Sequence, residues 1–250
     1  MTTANTPLYF DWSFWAVVVA GIAIVLSQLP PVLLWFRRAR IDVEPYSRIH
    51  ITHRVGNPNI QLHLILSNVG GRTVRVKGLS VGIERDGKGV ARLPAQNYLQ
   101  NPSDKTTVLF TSFPLGPKQE WAHIVNFLNY FSREDEKKYR SAESKLRDDI
   151  LEKRKVLENK DTLVEATEQL VSPFVAMFNE KFVWNPGEYK MAISVITSSD
   201  RANITKSYRF TLFESDSGDL SKAKDDYRYG DGINWDSGKY PGVIVQITEA

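Results

Sequence analysis

The chain of 250 residues holds four histidines, His50, His53, His63 and His123. Neutral imidazole is the commonest metal ligand, so their spacing decides whether a metal site is readable. His50 and His53 lie three apart in "RIHITHRV", a stretch that alternates like a strand. Residues three apart on a strand face opposite sides, so this pair does not converge. With a turn at Gly56–Asn59, His63 falls opposite Thr52 and diagonal to His50, on the face away from the leucines. No third ligand is evident. The histidines are expected as exposed sheet residues, with no metal and no cofactor.

A second set of candidates lies near the C-terminus. Asp216, Asp219, Asp225, Asp226, Asp231 and Asp236 are oxygen donors of the kind that suits calcium. The EF-hand spacing is absent, so a solvated loop is expected. Tyr229, Trp235 and Tyr240 share this Gly- and Asp-rich stretch. Such aromatics serve either as a partner contact or as pins holding a tail to a sheet edge. No nucleophile elbow, P-loop, G-x-G-x-x-G or H-E-x-x-H pattern occurs. The chain has no cysteine, which excludes disulfides, thiolate nucleophiles and Cys-based metal centres. With 32 Lys and Arg against 29 Asp and Glu, the net charge of +3 excludes a polyanion-binding composition, and no nucleic-acid partner is expected. No residue can be named as catalytic.

The elements that must position these residues begin with an apolar run. Residues 12–36 carry no charge, with Trp12 and Trp15 at one end and Trp35 at the other. A run of this length is enough to cross a hydrocarbon core of roughly 30 Å. Asp11 precedes it and no basic residue does, which argues against a cleavable signal. A single-pass transmembrane anchor is expected, with Arg37, Arg38 and Arg40 holding the following domain on the cytoplasmic side of a cell membrane. Pro30 and Pro31 predict a kink. Ala16, Ala20, Ala23 and Ser27 form a small-residue face that would let a second transmembrane helix pack closely, giving a homo-oligomer.

The division expected is a short tail over 1–11, the anchor over 12–36 and a basic neck over 37–46. A mainly β domain follows over 47–131 and 183–214, interrupted by a helical insertion over 132–182. A polar tail with a short terminal strand closes the chain over 215–250. Alternation in "IQLHLILSN" and "TVRVKGLSVGIER" supports strands, with a bulge near Gly78. Ser132 followed by acidic residues predicts a helix start. Tyr139, Ala142, Leu146, Ile150 and Leu157 then make a narrow apolar stripe. A second helix is expected from Thr162, making an αα-hairpin. "SNVGGRTVRVKGLSV" and "PGEYKMAISV" resemble strands of bacterial immunoglobulin-like sandwich domains. That resemblance implies a β-sandwich fold and nothing about activity.

Together these readings predict a membrane-anchored binding or scaffolding protein with a protein partner. One alternative is an exported, membrane-tethered domain for envelope assembly or adhesion. Another is a tethered metal-dependent hydrolase built on the tail carboxylates.

Overall fold

The computed structural model describes residues 12–36, 38–156, 162–233 and 242–250, with side chains for all of these except 28–36. The long strand β3 (Asn57–Asn68) shows why the sheet forms: Ile60, Leu62, Leu64 and Leu66 alternate with exposed or half-buried positions, and each is buried. Side chains two apart share a face, so one strand delivers four aliphatics to a core. β1 (Ile41–Pro45) and β2 (Arg48–Arg54) lie end to end along one edge of β3, and β8 (Glu120–Leu128) runs along the other. In the facing layer, β4 (Val74–Arg85) pairs with β9 (Gly187–Thr197), and β9 with β10 (Ile204–Leu212). A register shift between Val76 and Gly78 marks a bulge at the glycine.

Two strands join the layers. β5 (Lys88–Leu99) pairs with β4 as far as Pro94 and with β8 from Ala95 onward. Short strands β6 (Val108–Leu109) and β7 (Phe113–Leu115) extend β5 and β4. On the opposite side β11 (Gly242–Gln246) pairs with β2, and β12 (Thr248–Glu249) pairs with β10. Only Ile247 separates them, and its N–H donates to the Ser47 carbonyl at 2.9 Å. The expected pair of separate immunoglobulin-like sheets is therefore corrected. The protein is mostly β, with one nearly closed antiparallel sheet and four helices among the described residues. Closure of this kind removes the unpaired edges on which other chains would add.

The transmembrane expectation is also corrected. Helix α1 (Trp12–Phe36) forms over the expected span, but among the described residues no helix is long and apolar enough to cross a membrane. The single-pass localisation and the cytoplasmic orientation lose their premise with it. The neck differs too, because residues 41–45 are strand β1 rather than linker. Arg38 and Arg40 are tied by their carbonyls to the N–H groups of Gly71 and Gly70, at 3.3 and 3.1 Å.

Helices α2 (Arg133–Lys155) and α3 (Glu168–Lys181) lie between β8 and β9 in sequence. Ser132 caps α2, its hydroxyl oxygen accepting the Asp135 N–H at 3.1 Å. The second helix starts at Glu168, not near Thr162. The polar tail contains α4 (Glu214–Lys222) and a 3-10 turn over Ala223–Tyr229, where a loop was expected. The apolar sides of α2, α3 and this turn build a second core from Tyr139, Leu146, Ile150, Phe174, Phe178 and Tyr227.

That second core includes one residue of the sheet, Val55 at the tip of the β2–β3 hairpin. Val55 and Gly56 form a two-residue turn with φ of 48° and 81°, the left-handed pair that suits the twist of a hairpin. The turn therefore sits at Val55–Gly56, two residues earlier than the centre of "GNPN". A Cβ on Gly56 would stand 2.6 Å from the Phe178 carbonyl oxygen, so the α3 backbone rests directly on the glycine. Gly56→Ala is expected to destabilise the fold by about 2–4 kcal/mol, combining left-handed strain with a forced shift of α3. Urea denaturation checks this: the midpoint should fall with little change in slope.

Candidate interaction surface

The histidines do not meet. In the observed register His50 lies opposite Gln61 and Thr52 opposite Asn59, which places His63 two residues past the last β2–β3 pair. The expected alignment of His63 with Thr52 is thus displaced, because the turn is tighter than the sequence suggested. His63 is exposed and packs its ring 6.5 Å from Tyr46. His50 is half-buried against β11, where a side chain on Gly242 would collide with its ring. His123 is 4.7 Å from Trp121 and 4.8 Å from Tyr98 between ring centroids, and its Nδ1 lies 3.2 Å from the Gln100 carbonyl. Among the described residues no three His, Asp or Glu side chains gather as a metal site requires.

His53 is buried, where an exposed sheet residue was expected. Its Nδ1 accepts the Gly56 N–H at 3.2 Å, which leaves Nε2 protonated to donate to the Leu220 carbonyl at 2.9 Å. Phe178 and Phe182 stand edge-on to the ring at 5.2 and 5.7 Å. One imidazole therefore touches the hairpin, α3 and α4. Burial lowers its pKa below the ordinary 6.5, partly offset by the Leu220 carbonyl. Beside it Trp184 is fully buried, donating Nε1–H to the Thr52 carbonyl at 3.0 Å and accepting Ser217 Oγ–H on its own carbonyl at 2.7 Å.

Two of the tail aspartates have local partners. Asp216 accepts the Phe213 N–H at 3.3 Å, and Asp219 pairs with Lys222 at 2.9 Å. Asp225 sits on the rim of a groove described below, while Asp236 lies outside the described residues. Of the three tail aromatics, Tyr229 donates to Glu165 at 2.9 Å and has Arg228 over its ring at 4.9 Å. It is a pin on the helical layer. Trp235 and Tyr240 lie outside the described residues, as does Leu157 of the apolar stripe. Ala16, Ala20 and Ala23 are exposed on α1, and Ser27 donates to the Ile24 carbonyl of its own helix at 2.7 Å.

What the sequence did not single out is the outer side of the helical layer. Two charged clasps hold α2 and α3 antiparallel. At one end Lys181 pairs with Asp135 at 2.8 Å, which raises the lysine and lowers the carboxylate pKa. At the other, Asp149 takes the Thr167 N–H and the Lys153 ammonium, each at 2.8 Å. With their inner faces fixed, the helices leave open grooves on either side of α3. One encloses about 870 Å³ between α3 and the 3-10 turn, over Val171, Val175 and Ala176, with Asp225 and Arg228 on its rim. The other encloses about 620 Å³ between α3 and α2, over Ala142, Leu170 and Pro173. Its α2 wall is Glu134, Lys137, Lys138, Ser141 and Lys145. Those positions recur at steps of three and four, the spacing of one helix face, and that was the signal available in the sequence.

No family model matches the sequence, and a search of curated proteins found no match. Among solved structures, a crystal structure of a protein from Archaeoglobus fulgidus is similar over 70% of this chain and 94% of that chain, with 11% identity and a TM-score of 0.27. A likeness that slight carries no argument about fold or function.

The buried imidazole generates a pH expectation. In the folded chain His53 resists protonation, whereas the unfolded chain takes up a proton near pH 6.5. Stability should therefore be full above that value and decline as pH falls below it. His50, also lowered by burial, contributes with the same sign. Denaturation midpoints measured between pH 5 and 8 check this, and His53→Gln should retain only the shallower His50 share of the slope.

Proposed function

We propose that the chain is a protein-binding module whose contact surface is the outer side of the α2–α3 layer. The observation that supports this is the pair of apolar-floored grooves flanking α3. Interface anchors insert into such concave, apolar sites, while polar rims set orientation. The catalytic alternative finds less support, since Asp216 caps a helix, Asp219 pairs with Lys222, and no three His, Asp or Glu side chains gather among the described residues. The sheet offers a poorer contact surface, because its near closure leaves little strand edge to which a partner could add.

This reading replaces the basis of the earlier expectation. Binding or scaffolding was inferred from an anchor and from the tail aromatics. It now rests on the insertion, which the sequence marked only as a helical hairpin.

The test is a selection of helical peptides from a display library on the immobilised full chain. Binders should lose at least about tenfold in affinity on Leu170→Asp, because a charge placed on a groove floor removes a central contact. Ile244→Asp, on an exposed sheet position, should leave them unchanged. The melting temperature of each variant guards against loss of folding. Binders indifferent to Leu170→Asp but sensitive to Ile244→Asp would move the contact surface to the sheet.

A further inference from the structure

We infer that the groove between α2 and α3 is shaped for an acidic amphipathic helix, an inference that rests on the binding-module reading above. The argument begins from charge. Three lysines of the helical layer are paired: Lys153 with Asp149, Lys181 with Asp135 and Lys222 with Asp219. Among the described residues Lys137 and Lys145 make no ion pair, and both line the groove. Lys138 stands between them, in the field of Asp135. Glu134 is the one acidic residue on this wall. The groove thus carries a net positive rim over an apolar floor of Ala142, Leu170 and Pro173.

A lysine ammonium beside apolar surface keeps its charge in water while its stem covers the floor. An incoming carboxylate can therefore reach the ammonium without first displacing an internal partner. The geometry also sets a spacing. Lys137 and Lys145 are two turns apart on α2, about 12 Å at 1.5 Å per residue. A helix lying along the groove meets both with carboxylates seven or eight positions apart, flanking an apolar stripe at i, i+3, i+4 and i+7. The floor supplies a matching feature. Pro173 has no N–H to give the Gln169 carbonyl, and Ser172 Oγ donates to that carbonyl at 3.2 Å instead. The polar consequence of the proline is therefore absorbed within α3, leaving its ring as apolar floor.

A peptide is favoured over a polyanion such as nucleic acid because the groove floor beside the lysines is apolar. Rim charges of this kind act mainly on association rate and partner choice, so their effect should be strongly salt-dependent.

The experiment uses two synthetic helical peptides with one common apolar stripe, one carrying glutamates and the other lysines at the flanking positions eight apart. Each is titrated by fluorescence anisotropy against the full chain at low and physiological salt. The acidic peptide is expected to bind at least about tenfold tighter, with the advantage shrinking as salt is raised. Lys137→Glu with Lys145→Glu should reverse the preference while leaving the melting temperature unchanged, since both side chains are exposed. Leu170→Asp should weaken both peptides. Equal affinity of the two peptides, each still sensitive to Leu170→Asp, would overturn the acidic-partner inference and leave the binding-module reading standing. Failure of both peptides to bind would overturn the inference as well, while binders from the library selection would keep the broader reading alive.

Discussion

The tip of the β2–β3 hairpin is where the sheet carries the helical layer on paired polar groups. From Thr52 to Gly56 the chain spends its polar groups on holding other elements. The Thr52 carbonyl takes the Trp184 indole, His53 bridges Gly56 to α4, and Gly56 lies bare beneath the α3 backbone. Buried polar groups are tolerable only when paired, and here the Thr52–Trp184 and His53–Leu220 pairings cross from one element to another. That is why the tip fixes geometry more firmly than apolar contact alone would. It also explains how one domain holds two cores. Val55 belongs to the helical core, while Ile49 and Ile51 of the same hairpin belong to the sheet core.

The attachments on the inner side of α2 and α3 decide what their outer side can do. Tyr139, Leu146 and Phe174 are consumed by the second core, and Arg54 lies over the Tyr139 ring at 4.5 Å. The two clasps at Asp135 and Asp149 fix the separation of the helices without using groove residues. The grooves are therefore a consequence of how the hairpin is braced. Bracing from beneath and at the ends leaves the upper seam unfilled. A partner helix would meet a surface already ordered, which keeps the entropic cost of association low.

Parts of this arrangement were legible in the sequence for plain physical reasons. Alternation in β3 and β9 identified the strands, since a period of two survives any tertiary context that buries one face. Gly78 marked the bulge, and Ser132 the start of α2. Other parts were not legible. The Val55–Gly56 turn was read two residues late because "GNPN" looks the stronger turn, whereas a valine at positive φ is uncommon and is sustained here only by burial beneath α3. His53 was expected at the surface with the other histidines, although the alternation of its strand sets it on the side of Ile49 and Ile51, which is buried. The apolar run at 12–36 satisfied a length criterion for a membrane span, but hydropathy speaks only to composition. Its helix forms as expected, without meeting the spanning requirement among the described residues.

The charge distribution closes the argument about where a partner would act. The chain as a whole is nearly neutral at +3, so no long-range field selects partners by sign. Selectivity must come from local imbalance, and within the helical layer four ion pairs close at 2.7–2.9 Å. Ion pairs on a surface contribute little to stability, but they do neutralise the positions they occupy. Lys137 and Lys145 lie outside those pairs, two turns apart on one helix face beside an apolar floor. Their value for stability is small, and their position beside an open groove gives them a use that pairing would remove.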